Sequence, residues 1–262
     1  MSPRLATPCL ILSDAHLGAA SSDSERSLIA LLEYAKREAR SLVINGDLFD
    51  FWFEWRHVMP RVGYRTVAAL SALRDSGIEV VWIAGNHDCW GGDLLTEDAG
   101  LTYHLGPWRG EIGSWQTVIE HGDGLRGAED APYRRLRAVL RNRMAIWMYR
   151  HLLHPDWATA IARRSSHTSR NMRPRDGGEG LRQVARGRLR ADPTIDLYVF
   201  GHTHTAELEQ DTAGAVFANP GAWMDGANAL LVSDDGVALT EWDGTTTRTV
   251  KSISLRRGAP PR

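Results

Sequence analysis

Five short apolar runs in this chain end in the same few polar side chains, and that recurrence constrains the fold more than anything else in the sequence. "LSDAHLG" brings Asp14 and His16, "INGDLFDFW" brings Asp47 and Asp50, and "AGNHD" brings Asn86, His87 and Asp88. "IEHGD" then brings His121 and Asp123, and "VFGHTHT" brings His202 and His204. The runs before them read as buried strands at 8–13, 41–45, 78–84, 115–121 and 195–201, with helical spacing of apolar residues at 23–40 and 60–76. A β-α-β-α-β order implies parallel strands joined by right-handed crossovers. In such sheets ligands gather beyond the carboxyl ends of the strands, so the five clusters converge on one crevice. On a strand, positions i and i+2 share a face, which would let Asp14 and His16, or His202 and His204, reach one ion.

A turn explains any one of these motifs alone, because Gly, Asn and Asp bend the chain easily. Turn chemistry does not explain five of them in series. The donors are imidazole, carboxylate and amide, with no thiolate. That set suits Mn²⁺, Fe, Co²⁺ or Zn²⁺ better than Ca²⁺, and Mg²⁺ is also admitted. There are too many donors for one ion, and a carboxylate such as Asp47 can bridge two. Two metals roughly 3.5–4 Å apart form a clamp for in-line displacement at phosphorus. The residues therefore point to a two-metal hydrolase of phosphoesters or phosphoanhydrides.

The chain is long enough, at 262 residues, for one large α/β domain spanning 1–262. Its formal net charge of −1 argues against capture of long nucleic acid. The two cysteines, Cys9 and Cys89, read as small buried hydrophobes and not as a disulfide or a zinc site. The opening "MSPRLATPCLILSD" lacks the apolar core of a signal peptide, and no apolar run is long enough to span a bilayer. A cytoplasmic protein is expected, with peripheral contact to the cytoplasmic face of an inner membrane.

From 126 to 190 strands give way to helical texture, with sixteen arginines against five acidic residues. Leu136, Val139, Leu140, Ile146, Trp147, Met148, Leu152, Leu153 and Trp157 are interleaved among them. We read this as an Arg-rich helical lid inserted in the core. It is suited to lying on an anionic membrane surface, or to receiving acyl chains beneath arginines that grip a diphosphate. Ser169 and Arg170, with Arg163 and Arg164, are its candidate phosphate or uridine contacts.

Taken in order, D-x-H, G-D-x-x-D, G-N-H-D, H and G-H-x-H over residues 14 to 204 resemble the calcineurin-like metallophosphoesterase superfamily. The resemblance implies two mixed β-sheets packed as a sandwich flanked by helices. It implies that Asp14, His16, Asp47 and His204 hold one metal and that Asp47 (bridging), Asn86, His121 and His202 hold the other. It also implies that His87 donates a hydrogen bond or proton to the phosphate while Asp88 orients it, with Asp50 and Asp123 behind the ligands. The aromatic "GDLFDFWFEW" replaces the Asp-Arg-Gly signature of the protein phosphatases. With "HGDGLRGAEDAPYRRLRAVLRN" and "HLLHPDWATAIARRSSHTSR", it resembles the UDP-2,3-diacylglucosamine pyrophosphohydrolases of lipid A synthesis. Many of those carry arginine where this chain has His87.

The implied reaction is hydrolysis of the diphosphate of a lipid-linked nucleotide sugar to UMP and 2,3-diacylglucosamine 1-phosphate, with no obligate protein partner. Its rivals are a general phosphodiesterase acting on cyclic nucleotides or other small diesters, and a metal-dead scaffold of the same fold. A scaffold should have lost ligands, and here every position of the pattern is filled.

Overall fold

The computed structural model describes residues 2–171 and 176–254, with the side chains of residues 163 and 165–171 outside that description. Strands β2 (Cys9–Leu12), β3 (Ser41–Asn45) and β4 (Glu79–Ile83) pair in parallel, and nearly every residue in them is buried. Their alternate side chains face two different cores, which explains why they read as unbroken apolar runs. Leu10, Leu12, Leu42, Ile44, Val80 and Trp82 face outward, beneath helices α1 (Ser22–Glu38) and α2 (Tyr64–Asp75). Cys9, Ile11, Val43, Val81 and Ile83 face inward, toward a second sheet.

Helix α1 shows why the local sequence folds this way. The Ser21 hydroxyl accepts from the Ser24 amide at the N-terminus, Asp23 and Glu25 occupy the first turn, and Lys36 and Arg37 the last. Leu28, Leu31, Leu32 and Ala35, at helical spacing, are the residues it buries.

The first sheet has seven strands. Strand β5 (Thr102–His104) extends it in parallel beyond β4, and β11 (Asn228–Val232), β12 (Gly236–Trp242) and β13 (Thr247–Ser254) extend it antiparallel beyond β2. The second has six strands. Its centre is β7 (Trp115–Ile119) paired in parallel with β8 (Leu197–Val199), and β8 with β10 (Val216–Asn219). Strands β1 (Arg4–Leu5) and β6 (Trp108–Ile112) close one side and β9 (Glu207–Gln210) the other. Trp115, Ile119, Leu197, Val199, Val216 and Ala218 meet the inner face of the first sheet. The result is the expected sandwich of two mixed sheets flanked by helices.

Four helices lie between β7 and β8: α3 (Ala131–Leu140), α4 (Arg143–Leu152), α5 (Pro155–Asn171) and α6 (Glu179–Ala191). Helix α6 buries Leu181, Ala185 and Leu189 against Val118, Tyr198, Phe200 and Phe217 on the outer face of the second sheet. Helices α3 and α4 bury no residue. Leu136, Val139, Met144, Trp147, Met148, Leu152, Trp157 and Ile161, on α3 to α5, are all exposed. Among the described residues no helix is long and apolar enough to cross a membrane. Both cysteines are buried and unpaired.

Candidate metal centre

Strands β2, β3 and β8 end just before the candidate ligands, and the chain then bends sharply. Asp14 (φ 54°), His16 (φ 43°), Asp47 (φ 53°), His202 (φ 66°) and His204 (φ 61°) all have left-handed backbone. Among the described residues only one other non-glycine position does, Ala227. Such conformations cost about 1–3 kcal/mol each and persist where surrounding structure holds them, typically at functional sites. Main-chain bonds hold the first of these bends, the Asp14 amide donating to the Gly46 carbonyl (3.1 Å) and the His16 amide to the Asp47 carbonyl (2.9 Å), while the His202 amide donates to the Asp14 carboxylate (3.0 Å). This corrects one expectation. Asp14 and His16, like His202 and His204, do not share a strand face. They lie past the strand ends and converge through two successive left-handed bends.

The bends gather the side chains into three overlapping groups whose ligand atoms lie within 4.8 Å of one another: Asp14, His16 and His204; Asp47, His121 and His202; and His16, Asp47 and His87. Within the first, His204 Nε2 is 3.4 Å from Asp14 Oδ1 and 3.3 Å from His16 Nε2. Asp47 faces both sides: its Oδ2 lies 3.2 Å from His121 Nε2 and 3.8 Å from His16 Nε2, while its Oδ1 accepts from the His87 amide (2.9 Å). A Cβ on Gly85 would strike the Asp47 carboxylate, so this approach requires glycine there.

Several polar atoms here are buried without a hydrogen-bond partner: Asp14 Oδ1, Asn86 Oδ1 and His121 Nε2. Buried polar atoms that make no hydrogen bond are costly, and three of them converging with imidazole and carboxylate donors fit a site for divalent cations. The electrostatics agree. Burial alone would raise the Asp47 carboxyl, but His121, His87 and His16 outweigh it and hold the group well below the usual carboxylate range. Burial alone would lower His121, but Asp47 and Asp14 hold it well above the usual imidazole range. Burial pushes His16 down to about 4 against the pull of Asp47 and Asp14, and lowers His202 as well. Burial, with the Asp47 charge, lifts the Asp88 carboxyl to about 7.

The residues behind the ligands are arranged differently from expectation in one respect. Asp88 does not orient His87. Its two oxygens accept from the backbone amides of Gly85 and Leu48, both at 2.8 Å, so it ties the Asn86–His87 loop to the Asp47 loop. The ring of His87 is steered by Asp50, whose main-chain carbonyl lies 2.8 Å from Nδ1. Asp123 accepts from the Tyr133 hydroxyl (2.6 Å) and from Arg137 (3.2 Å), and so ties α3 to the loop after His121. Burial would raise this carboxyl, but His121 and His202 lead the groups that lower it.

Sequence reasoning misses three supports. Ser13 donates to Asp14 Oδ2, the Asn45 carbonyl lies 2.9 Å from His121 Nδ1, and Asp225 Oδ2 lies 3.0 Å from His204 Nδ1. Ser13 and Asn45 each directly precede a quoted motif residue or its glycine, and that adjacency is a usable signal. Asp225 stands twenty-one residues beyond His204 and carries none.

The aromatics after Asp47 seat the exposed helices. Tyr149 of α4 packs on Phe53 (4.8 Å between ring centroids) and stacks on Trp55 (6.3 Å), and Arg150 lies over Phe53 (5.5 Å). The Trp90 indole donates to the Leu140 carbonyl (2.9 Å). Of the proposed phosphate or uridine contacts, Arg164 is exposed on α5. Arg163, Ser169 and Arg170 have side chains outside the described residues.

Residues 7–206 match the model of the calcineurin-like phosphoesterase family. A UDP-2,3-diacylglucosamine hydrolase of Porphyromonas gingivalis is 33% identical over 258 residues, covering 89% of this chain and 93% of that protein. A protein of the same name from Pseudomonas putida is 29% identical over 239 residues, covering 89% of this chain and 98% of that one. Among solved structures, vacuolar protein sorting 29 of Cryptosporidium parvum aligns over 94% of this chain and 97% of its own, with a TM-score of 0.47 and 15% identity.

Proposed function

The chain belongs to the calcineurin-like phosphoesterase family, and from that premise we propose that it hydrolyses UDP-2,3-diacylglucosamine to UMP and 2,3-diacylglucosamine 1-phosphate. The observation that carries this reading is the junction at Asp123. Two residues past His121, its side chain accepts from Tyr133 and Arg137 of α3, the first of the helices whose exposed residues are apolar and Arg-rich, so the buried His–Asp cluster and an acyl-chain surface would be neighbours. The names of relatives aligned over about nine-tenths of the chain support the same substrate.

In this reading Asp14, His16, Asp47 and His204 would hold one divalent ion, and Asp47, Asn86, His121 and His202 the other, with Mn²⁺ the preferred metal. When bound, such ions supply positive charge to a phosphoryl group and make a water more acidic. The protein's part is to position and to exchange protons. His87 would use its Nδ1–H to hold the Asp50 carbonyl, leaving Nε2 to hydrogen-bond the phosphate and to carry a proton. Asn86 would present a neutral oxygen that adds no negative charge near the diphosphate. Arg163, Arg164, Ser169 and Arg170 would face the diphosphate or uridine, and α3 to α5 would receive the acyl chains and touch an anionic membrane surface.

The test is direct. Purified protein supplied with Mn²⁺ should release UMP from UDP-2,3-diacylglucosamine in detergent micelles. Rapid turnover of bis-p-nitrophenyl phosphate or a cyclic nucleotide with none of the lipid would replace this substrate with a small diester.

A further inference from the structure

We infer that Asp225 is a positioning residue that fixes His204 for the ion held by Asp14, His16 and His204, an inference that rests on the two-ion reading above. His204 Nδ1 lies 3.0 Å from Asp225 Oδ2, which makes Nδ1 the protonated nitrogen and leaves the Nε2 lone pair facing Asp14 and His16. His87 and His121 turn Nδ1 toward main-chain carbonyls, whereas His204 turns it toward a carboxylate. A carboxylate behind an imidazole both orients the ring and raises its basicity toward a metal.

The turn that carries Asp225 is built onto the same centre. In α7 (Trp223–Gly226) the Trp223 amide donates to the Ser13 carbonyl (3.0 Å) and the Met224 amide to the Asp14 carbonyl (3.3 Å). The Trp223 indole is buried and donates to the Ser24 carbonyl (3.2 Å). Ala227 closes the turn in left-handed conformation (φ 50°), its amide bonded to the Trp223 carbonyl (3.0 Å) and its carbonyl to the Trp242 amide (3.0 Å). One short segment thus grips the bend that presents Asp14 and, through Asp225, aims the ring of His204. All of it lies beyond the residues that match the family model, 7–206.

The geometry makes the effect selective. Asp225 meets His204, which belongs to the group of Asp14 and His16 and not to the group of Asp47, His121 and His202. Its side chain is 49% exposed, so replacing it leaves the core intact.

Mn²⁺ binding by Asp225→Ala, Asp225→Asn and the unaltered protein, followed by calorimetric titration and by electron paramagnetic resonance of the paired ions, tests the proposal. The unaltered protein should take up two ions. Asp225→Ala should keep one at unchanged affinity and bind the other about ten- to a hundredfold more weakly, with the spin coupling lost at limiting metal. Asp225→Asn retains an acceptor oxygen without the charge and should fall between the two. Binding of both ions by Asp225→Ala as in the unaltered protein would overturn the inference while leaving the two-ion reading intact. So would equal weakening of both ions or a lowered melting temperature of the metal-free variant, since either marks a merely structural role. Uptake of fewer than two ions by the unaltered protein would remove the two-ion reading, and this inference with it.

Discussion

His121 Nε2 lies 3.2 Å from Asp47 Oδ2, and both side chains are almost wholly shut from solvent. Their mutual attraction holds the carboxyl down and the imidazole up, so it favours the charged pair in the ion-free protein. A metal ligand must be a neutral imidazole, so an ion held by His121, as proposed, would have to displace its proton.

That displacement predicts proton release. His121 has its pKa raised, so the proton is held below that pKa and competes with the metal there. Apparent Mn²⁺ affinity should therefore rise as pH is raised from 6 toward 8. Calorimetric titrations in buffers of different ionisation enthalpy should show about one proton released per pair of ions. Affinity independent of pH over that span would contradict the charged pair.

Metal removal should lower thermal stability. An ion that binds only the folded chain adds about 2.7 kcal/mol at a hundred times its Kd, or roughly 5–10 °C for a chain of this size. A melting curve of protein stripped with EDTA and then refilled with Mn²⁺ should recover that shift. Identical curves with and without the metal would speak against a buried site.

His87 belongs to a group with His16 and Asp47 as well as facing the Asp50 carbonyl, so its two conceivable jobs are separable. As a proton carrier, His87→Ala should cut kcat by about 10²–10⁴ with metal content unchanged. Metal analysis of the purified variant decides the matter, because loss of an ion would make His87 a ligand instead. Asp47→Ala, by contrast, should lose both metal affinity and activity.

The seat of the helical projection gives a further prediction. Tyr149 packs on Phe53 and Trp55, and its hydroxyl donates to the Ala158 carbonyl (2.7 Å) across to α5. Tyr149→Ala should loosen α4 and α5 and reduce turnover of the acylated substrate on the order of a hundredfold, as misplacement of a binding element does. Hydrolysis of bis-p-nitrophenyl phosphate should stay within about threefold, because Tyr149 touches none of the His–Asp cluster. Equal losses on both substrates would show that the projection supports the centre itself.

How much of this is legible in the sequence depends on the range of the interaction. β2, β3, β4 and β8 announce themselves because burial on both faces demands continuous apolar residues, β7 by its β-branched and aromatic residues despite the exposed Gln116, and the motifs that follow name the donors. β6 does not, since "WRGEI" breaks its apolar pattern with Arg109, Gly110 and Glu111, and β5 is only three residues long. The left-handed bends are equally invisible, because Asp and His only tolerate that conformation and do not announce it. Asp88 illustrates a different failure. Its neighbour in sequence is His87, yet its partners are the Gly85 and Leu48 amides, the second of them across a loop.

The candidate ligand bends at Asp14, His16 and Asp47, tied to one another by main-chain bonds, have a kinetic consequence. The cage is set by the backbone before any cation arrives, so filling it asks water to leave the ion and does not ask loops to travel. The rate of loading should then track how readily each cation sheds its hydration. Mg²⁺, which dehydrates reluctantly, should enter far more slowly than Mn²⁺ even where the two are held with similar strength.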